Sequence, residues 1–240
     1  MNSNTAPPEK QTGKLNRYGV RRLIQVFSSL VLYGVVLFLA AGRLDWWPAW
    51  VYLGISLVTV MINAVVMRRK NSDLINERGR MAENQKSWDK VLMLLYLPLM
   101  FSVLLVAGLD NGRYGWSDVP TWLMVLGAVL TALTYLVITW TMRVNAFLST
   151  VARIQEERGQ QVATGGPYRV VRHPMYICLI VQWISTALLL GSWWALIPAG
   201  IIGVIFIIRT ALEDRMLQEE LPGYIDFTKQ TRFRLVPGLW

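Results

Sequence analysis

The chain has 240 residues, of which 54% are hydrophobic, 16% are charged and 11 are tryptophan. Soluble domains carry about 25% charged residues and tryptophan favours membrane interfaces, so the composition excludes an ordinary soluble domain and predicts an integral membrane protein. The formal net charge of +9 does not indicate nucleic acid as a partner, because the basic residues collect on one side of the predicted membrane segments.

Six apolar runs predict an all-α, polytopic membrane fold. A helix needs about 20 residues to cross the hydrocarbon core, so the first four runs are predicted to span the membrane. The last two are shorter and hinge at Gly191-Ser192, which predicts a tight C-terminal helical hairpin. The runs follow a polar tail over residues 1–22 and occupy residues 23–41, 47–67, 91–109, 121–140, 176–190 and 193–208.

The connections between the runs are polar. Residues 68–90 have a helix-compatible composition, residues 110–118 are predicted to form a short loop, and residues 143–175 form the longest loop. From Arg209 the chain is predicted to continue as a polar helical tail that breaks at residues 221–223.

The basic residues predict the orientation of the chain. Of the 24 lysines and arginines, 22 lie on one side of the predicted topology, and only Arg43 and Arg113 lie on the other. Cytosolic segments carry an excess of basic residues, so both termini and the longest loop are predicted to be cytosolic, in a bacterial inner membrane or an equivalent one. Residues 1–142 then form a tail and four spans, and residues 143–240 form a core of loop, hairpin and tail.

The sequence excludes several kinds of site. One histidine and one cysteine cannot provide a disulfide, a zinc site or a Cys–His catalytic pair, so no metal site is predicted and Cys178 is interpreted as a buried hydrophobe. The common glycine-rich nucleotide-binding loops are absent. No acidic residue lies in the six runs, which disfavours an ion-coupled transporter.

Residues 165–176, with the sequence GGPYRVVRHPMY, concentrate polar chemistry in one place. They contain the histidine, two arginines and two tyrosines, and their two prolines disfavour an ordinary helix. Because this segment leads into the fifth apolar run, it is predicted to be a loop that holds a ligand at the membrane surface.

A second polar set follows the hairpin. A hairpin returns to the side from which it started, so this set should meet residues 165–176 and provide cations, carboxylates, aromatic faces and an imidazole. Taken singly, the arginines fit lipid-headgroup contacts, an Arg–Glu pair four residues apart fits a weak surface ion pair, and a histidine before proline fits a loop hydrogen bond. Together they favour a membrane enzyme. The set consists of Arg209, Glu213, Asp214, Arg232 and Arg234.

Two strings within residues 143–240 carry a family resemblance. Residues 166–176 read Gly-Pro-Tyr-Arg-x-x-Arg-His-Pro-Met-Tyr, and residues 209–217, after the hairpin, read Arg-Thr-x-x-Glu-Asp-x-x-Leu. This combination is similar to the isoprenylcysteine carboxyl methyltransferase family and to the related membrane phospholipid methyltransferases. The resemblance implies methyl transfer from S-adenosylmethionine within a helical membrane fold that has no Rossmann domain.

The resemblance also implies roles for individual residues. Arg172 falls on the arginine of the Arg-His-Pro turn and Arg209 matches a residue placed towards the substrate, so these two are the catalytic candidates. Residues 160–163 align with a further cofactor-contacting strip. The implied cofactor-binding residues are Tyr168, His173, Pro174, Met175, Tyr176 and Glu213.

These residue types suit such a cofactor. Arginine pairs with a carboxylate, and Glu213 can accept hydrogen bonds from ribose hydroxyls or an amine. Tyr168 or Tyr176 can offer an aromatic face to a sulfonium. Transfer to an acceptor carboxylate needs no general base, because that nucleophile is already ionised, so positioning and exclusion of water suffice.

Two departures from the family pattern leave the acceptor open. Asp214 stands where a second glutamate is common, and Phe227 stands where a tyrosine is expected. The predicted acceptor is lipophilic or lipid-anchored, among membrane lipids: a prenylcysteine carboxylate, a phospholipid amine, or a small thiol or lipid acid. Two alternatives remain, a membrane sterol or enoyl reductase, which has a similar Arg-His-Pro-x-Tyr turn and binds NADPH, and a non-enzymatic membrane scaffold.

Overall fold

The structure, a computed structural model, describes residues 15–80 and 84–240, and these residues form helices and connections without any strand. This confirms the all-α fold; most of the predicted N-terminal tail lies outside the described residues. The α-helices are α1 (Arg17–Ala41), α2 (Trp47–Lys70), α3 (Ser72–Gly79), α4 (Ser87–Ala107), α5 (Thr121–Val144), α6 (Pro174–Leu189), α7 (Leu196–Glu220) and α8 (Tyr224–Gln230).

Six of these helices account for the predicted membrane segments. Five are long and apolar enough to cross a membrane, and α6 is a shorter apolar helix. The prediction of an integral membrane protein with about six spans is therefore confirmed. The five long candidates are α1, α2, α4, α5 and α7.

The second arm of the hairpin is longer than predicted. The sequence suggests an arm that ends near Ile208 and is short for a crossing, but α7 has 25 residues and is about 37 Å long. The polar tail is the second half of this helix, because its polar side chains find partners at the end of the bundle. The predicted break is confirmed, since α7 ends at Glu220 and Gly223, with a φ of 83°, precedes α8.

The predicted loop after the third span is partly helical. Gly108–Tyr114 form a π-helix that continues α4, and Ser87–Tyr114 together form one candidate span. Asp110 of the π-helix is fully buried, and its Oδ2 accepts hydrogen bonds from the hydroxyls of Ser117 and Ser192, each at 2.5 Å. The predicted run ends too early, so the absence of acidic residues from the runs does not extend to the helices.

Helices α5 and α6 pack closely along small and polar residues. A Cβ added to Gly127 would lie 2.6 Å from a backbone nitrogen of α6, so the two backbones touch there. The hydroxyls of Thr131 and Ser185 are hydrogen-bonded at 3.0 Å, and Thr134 donates to Gln182 Oε1 at 2.5 Å. Such pairs hold helices together where no water is present to replace them.

Aromatic side chains join α4, α6 and α7. The ring of Phe206 lies 5.2 Å from that of Tyr96 and 5.5 Å from that of Tyr176, and Trp183 Nε1 donates to Tyr96 OH at 3.1 Å. This contact fixes the start of α6, where the longest loop enters the bundle. We call that end of the bundle the loop end, and the end that holds Asp110 the far end.

Candidate active site

The loop is hydrogen-bonded at the loop end to residues 231–240, which we call the C-terminal tail. The loop turns as a short 3-10 helix over Gly166–Arg169, and His173 is the N-cap of α6. The Arg172 N–H donates to Phe233 O, and the His173 N–H donates to Arg234 O, both at 2.9 Å. The predicted meeting of the two polar sets is therefore observed.

Asp214 is the centre of this meeting. Its side chain is fully buried, and Arg172 donates to both of its oxygens, from Nε at 2.7 Å and from Nη2 at 3.0 Å. The sequence places this residue in the second polar set and as a departure from a family pattern, but nothing local indicates how many partners converge on it. The further partners are His173 Nε2 at 3.2 Å, Tyr224 OH at 3.0 Å, and Arg234 Nε and Gln218 Nε2 at 2.8 Å each.

Arg172 is largely committed to this structure. Its Nη1 donates to Thr231 O at 2.9 Å and to Arg232 O at 2.7 Å, so four of its five N–H donors are used. Burial lowers the pKa of Arg172, but the hydrogen bonds and charge of Asp214 outweigh burial and raise it. A direct role of Arg172 towards a ligand stays a prediction; the structure gives it the role of tying loop, α7 and tail together.

Glu213 and Tyr176 form a hydrogen-bonded pair beside Asp214 and its partners, which we call the Asp214 hub. Tyr176 OH donates to Glu213 Oε2. The side chain of Glu213 is 21% exposed whereas that of Asp214 is fully buried, so of the two neighbouring carboxylates Glu213 is the one that a ligand can reach. It faces a cavity whose wall includes Tyr168, Tyr176 and Met175.

Arg209 lies behind Tyr176. Its guanidinium carbon is 5.2 Å from the Tyr176 ring, and its Nε forms an ion pair with Asp89 Oδ1 at 2.9 Å, against 3.9 Å to Glu213 Oε2. The described residues that line the cavity do not include Arg209. Its predicted contact with a substrate stays a prediction, and the structure shows it binding α4 to α7.

Asp89 is a residue that sequence reasoning missed. It is fully buried in the first turn of α4, and its Oδ2 accepts from the backbone N–H of Ala152 at 2.8 Å and from Gln85 at 2.9 Å. It therefore joins the start of α4 to the longest loop and to Arg209. The only local signal is an aspartate in a first helical turn, which is common at helix starts.

The cavity brings most of the predicted site residues into one wall. Both ends of the hairpin contribute, as does the loop, and residues 160–163 lie in the wall as the resemblance implies. Seven of the eight predicted site residues line it: Tyr168, Arg172, His173, Pro174, Met175, Tyr176 and Glu213.

Two tyrosines of the wall are held in the protonated form. Burial raises the pKa of Tyr168, whose OH accepts a hydrogen bond from Asn145 Nδ2 at 2.8 Å. Burial and then the charge of Asp214 raise the pKa of Tyr224, which donates to that carboxylate. Phe227, where a tyrosine is expected, is buried edge-on against Tyr224 at 5.6 Å, so it packs well without a hydroxyl.

Arg153 is a further buried cation in the wall that the sequence did not single out. Its Nη2 contacts Glu77 Oε1 of α3 at 2.7 Å and Glu157 Oε1 at 2.8 Å. Among the described residues its Nε has no hydrogen-bond partner although it is buried. The wall therefore holds a cation and an accessible carboxylate together with aromatic faces.

This donor set fits S-adenosylmethionine. The accessible carboxylate of Glu213 suits ribose hydroxyls or an ammonium. The Nε of Arg153, which has no partner among the described residues, suits a carboxylate. The faces of Tyr168 and Tyr176 suit an adenine ring or a sulfonium. Amide groups of Asn145, Gln160 and Gln161 in the same wall can exchange hydrogen bonds with a purine edge.

Comparison with known proteins agrees with this chemistry. Residues 122–222 match the model of a family described as phospholipid methyltransferase, which confirms the predicted resemblance. No curated protein matches the chain. The matched segment contains all eight predicted site residues and Asp214, but it starts within α5, so the division at residue 142 stays a prediction. Asp89 and the C-terminal tail lie outside it.

Proposed function

We propose that this protein is an S-adenosylmethionine-dependent methyltransferase of the membrane that acts on a lipophilic or lipid-anchored acceptor. The observation that carries the proposal is the position of Glu213. It is the accessible carboxylate in a cavity with aromatic walls, held by Tyr176 at the end of membrane-crossing helices. The match to the methyltransferase family supports the same chemistry.

The chain's own residues have three tasks in this proposal. S-adenosylmethionine, when bound, supplies an electrophilic methyl group on a sulfonium. Glu213 binds the polar part of the cofactor, while Tyr168 and Tyr176 line the site with aromatic faces and exclude water. The Asp214 hub fixes these groups in position, because it ties loop, α7 and tail together before any ligand binds.

Two classes of methyl acceptor are consistent with this proposal. The motif is most similar to protein-S-isoprenylcysteine carboxyl O-methyltransferases, whose acceptor carboxylate would need no base, and the phospholipid amine alternative is equally consistent with the family match. The 22 basic residues on the side of the loop support a cytosolic site with both termini in the cytosol. The two acceptor classes are distinguished by assaying a farnesylated cysteine and phosphatidylethanolamine side by side.

The central test is cofactor binding by the purified chain in mild detergent. We expect S-adenosylhomocysteine to bind saturably and NADPH not to bind, and Glu213→Ala to weaken that binding at least tenfold while the melting temperature without ligand changes little. Glu219→Ala is the matched control, because Glu219 lies on the same helix, is exposed and pairs only with Arg215 in the described structure.

Two results would overturn the proposal. Binding of NADPH in place of S-adenosylhomocysteine would make the protein a reductase, and binding of neither would favour the scaffold. Equal affinities in Glu213→Ala and the wild-type protein would remove the role given to Glu213.

A further inference from the structure

A second cavity lies within the bundle, between α1, α2, α3 and α5. Its volume is about 170 Å³, far above the roughly 10–15 Å³ that one water needs, so it is more than a packing defect. Much of its wall is apolar, with Val26, Ile75 and Ile138 among its residues, and Arg22 and Arg78 lie in the same wall. The cavity is therefore amphipathic.

The two arginines of this wall have no anionic partner among the residues that the structure describes. No carboxylate of residues 15–80 or 84–240 forms a salt bridge with either. Among the described residues, the side chain of Arg78 donates only to Leu148 O, at 3.1 Å. Both arginine side chains are partly buried. Burial, and then the neighbouring charge of Arg22, lower the pKa of Arg78 to about 9, so Arg78 remains a cation at pH 7.

The other buried arginines at the loop end differ from Arg22 and Arg78, because each of them is paired with a carboxylate. Each buried arginine of the neighbouring site has a carboxylate within 3 Å: Arg153 with Glu77 at 2.7 Å, Arg172 with Asp214 at 2.7 Å and Arg209 with Asp89 at 2.9 Å. Removing a cation from water is unfavourable unless it is paired. Where residues 15–80 and 84–240 supply no counter-charge beside a cavity, a ligand can supply it.

We propose that this cavity binds an anionic membrane lipid, with its phosphate between Arg22 and Arg78 and part of a hydrocarbon chain against the apolar wall. Guanidinium groups match the geometry of a phosphate. No described residue of the wall is acidic, so the site offers no partner for the ammonium of a zwitterionic lipid. The apolar wall and the position of Arg22 on a membrane-crossing helix favour a lipid over free phosphate.

Helix α3 connects this cavity with the candidate active site. Glu77 of α3 forms an ion pair with Arg153, and Arg78 of α3 donates a hydrogen bond to the carbonyl of Leu148. Arg153 and Leu148 both line the active-site cavity. A lipid on Arg78 would therefore steady one wall of that cavity. The lipid site is a separate cavity, so the proposal does not depend on methyl transfer.

The test uses the full-length protein, delipidated in an uncharged detergent, and follows its melting temperature without cofactor. We expect dioctanoyl phosphatidylglycerol to raise the melting temperature saturably, and dioctanoyl phosphatidylcholine and inorganic phosphate to raise it far less. Arg22→Gln and Arg78→Gln should each weaken the binding of phosphatidylglycerol about tenfold or more. Arg21→Gln, one position away on α1 and exposed, should leave it unchanged.

Three results would overturn the proposal: equal shifts with the zwitterionic lipid, an equal shift with inorganic phosphate, or an equal loss in Arg21→Gln. If Arg78→Gln does not fold, Arg22→Gln carries the test, because no side-chain hydrogen bond joins Arg22 to the rest of the described structure. Failure of this test leaves the binding of S-adenosylhomocysteine untouched, so it is distinguishable from failure of the proposed function.

Discussion

The two ends of the bundle each contain a fully buried aspartate, but in opposite surroundings. At the loop end, Asp214 is bound by the guanidinium groups of Arg172 and Arg234, among other donors. At the far end, Asp110 receives only the hydroxyls of Ser117 and Ser192, and its Oδ1 has no partner among the described residues. One hub is built from charges, and the other from neutral groups.

The difference reflects what each hub holds. Asp214 joins three segments, the loop, α7 and the tail, that meet around a polar cavity, and charge-assisted bonds are the strongest available for that purpose. Asp110 joins the π-helix to the turn between α6 and α7, where neighbouring hydrogen bonds, such as that of Trp46 Nε1 with Asn111, also join neutral groups. A serine hydroxyl can donate to the oxygen of a carboxylate, a carboxylic acid or an amide. The hydrogen bonds at the far end therefore do not require a charged side chain at position 110.

The largest expected effect is that of Asp214→Ala. It leaves Arg172 buried without its anion, so we expect a loss of about 3–5 kcal/mol in the free energy of unfolding together with loss of S-adenosylhomocysteine binding. Denaturant titration in detergent and calorimetry measure the two. Asp226→Ala is the control, because Asp226 is exposed and pairs with Lys229; equal losses in both variants would contradict the role of Asp214.

A second, smaller effect tests whether the ion pair of Asp89 with Arg209 stabilises the loop end, as that of Asp214 with Arg172 does. Asp89→Asn and Arg209→Met should each destabilise the protein, because each leaves a buried partner uncompensated. The double variant should be less destabilised than the sum of the single ones, by about 0.5–3 kcal/mol. A double-mutant cycle in the same denaturant titration measures this coupling, and additive losses would show that the two side chains do not interact.

The smallest effect is expected at the far end. In Asp110→Asn the amide oxygen can accept from the two serine hydroxyls, and the amide nitrogen takes the place of Oδ1, which has no partner among the described residues. The free energy of unfolding should therefore fall by about 1–3 kcal/mol, with unaltered binding of S-adenosylhomocysteine. A loss as large as that of Asp214→Ala would end the distinction between the two hubs.

The sequence predicts the parts of this fold that depend on local signals. Apolar length predicts the spans, and the return of the hairpin predicts that residues 165–176 meet Glu213 and Asp214. The Leu221-Pro222-Gly223 break is likewise a local signal, and α7 does end there.

What the sequence does not predict depends on distant partners. The ion pair of Arg209 with Asp89 joins α7 to α4, and neither residue indicates the other. The glycine- and asparagine-containing stretch after α4 is typical of a loop, yet it forms a π-helix. Asp110 of this π-helix accepts a hydrogen bond from Ser192, in the distant turn between α6 and α7. For the same reason, the division of labour between Glu213 and Asp214 appears only when their burial is known.

The close packing of α5 and α6 has a consequence for how the chain enters the membrane. Helix α6 has 16 residues, a length of about 24 Å against a hydrocarbon thickness of about 30 Å, and it carries Gln182 and Ser185. Alone in lipid, such a segment would be a poor candidate for stable insertion. Because α5 precedes it in the chain and presents Thr131 and Thr134, biosynthesis delivers the partner helix before the segment that requires it.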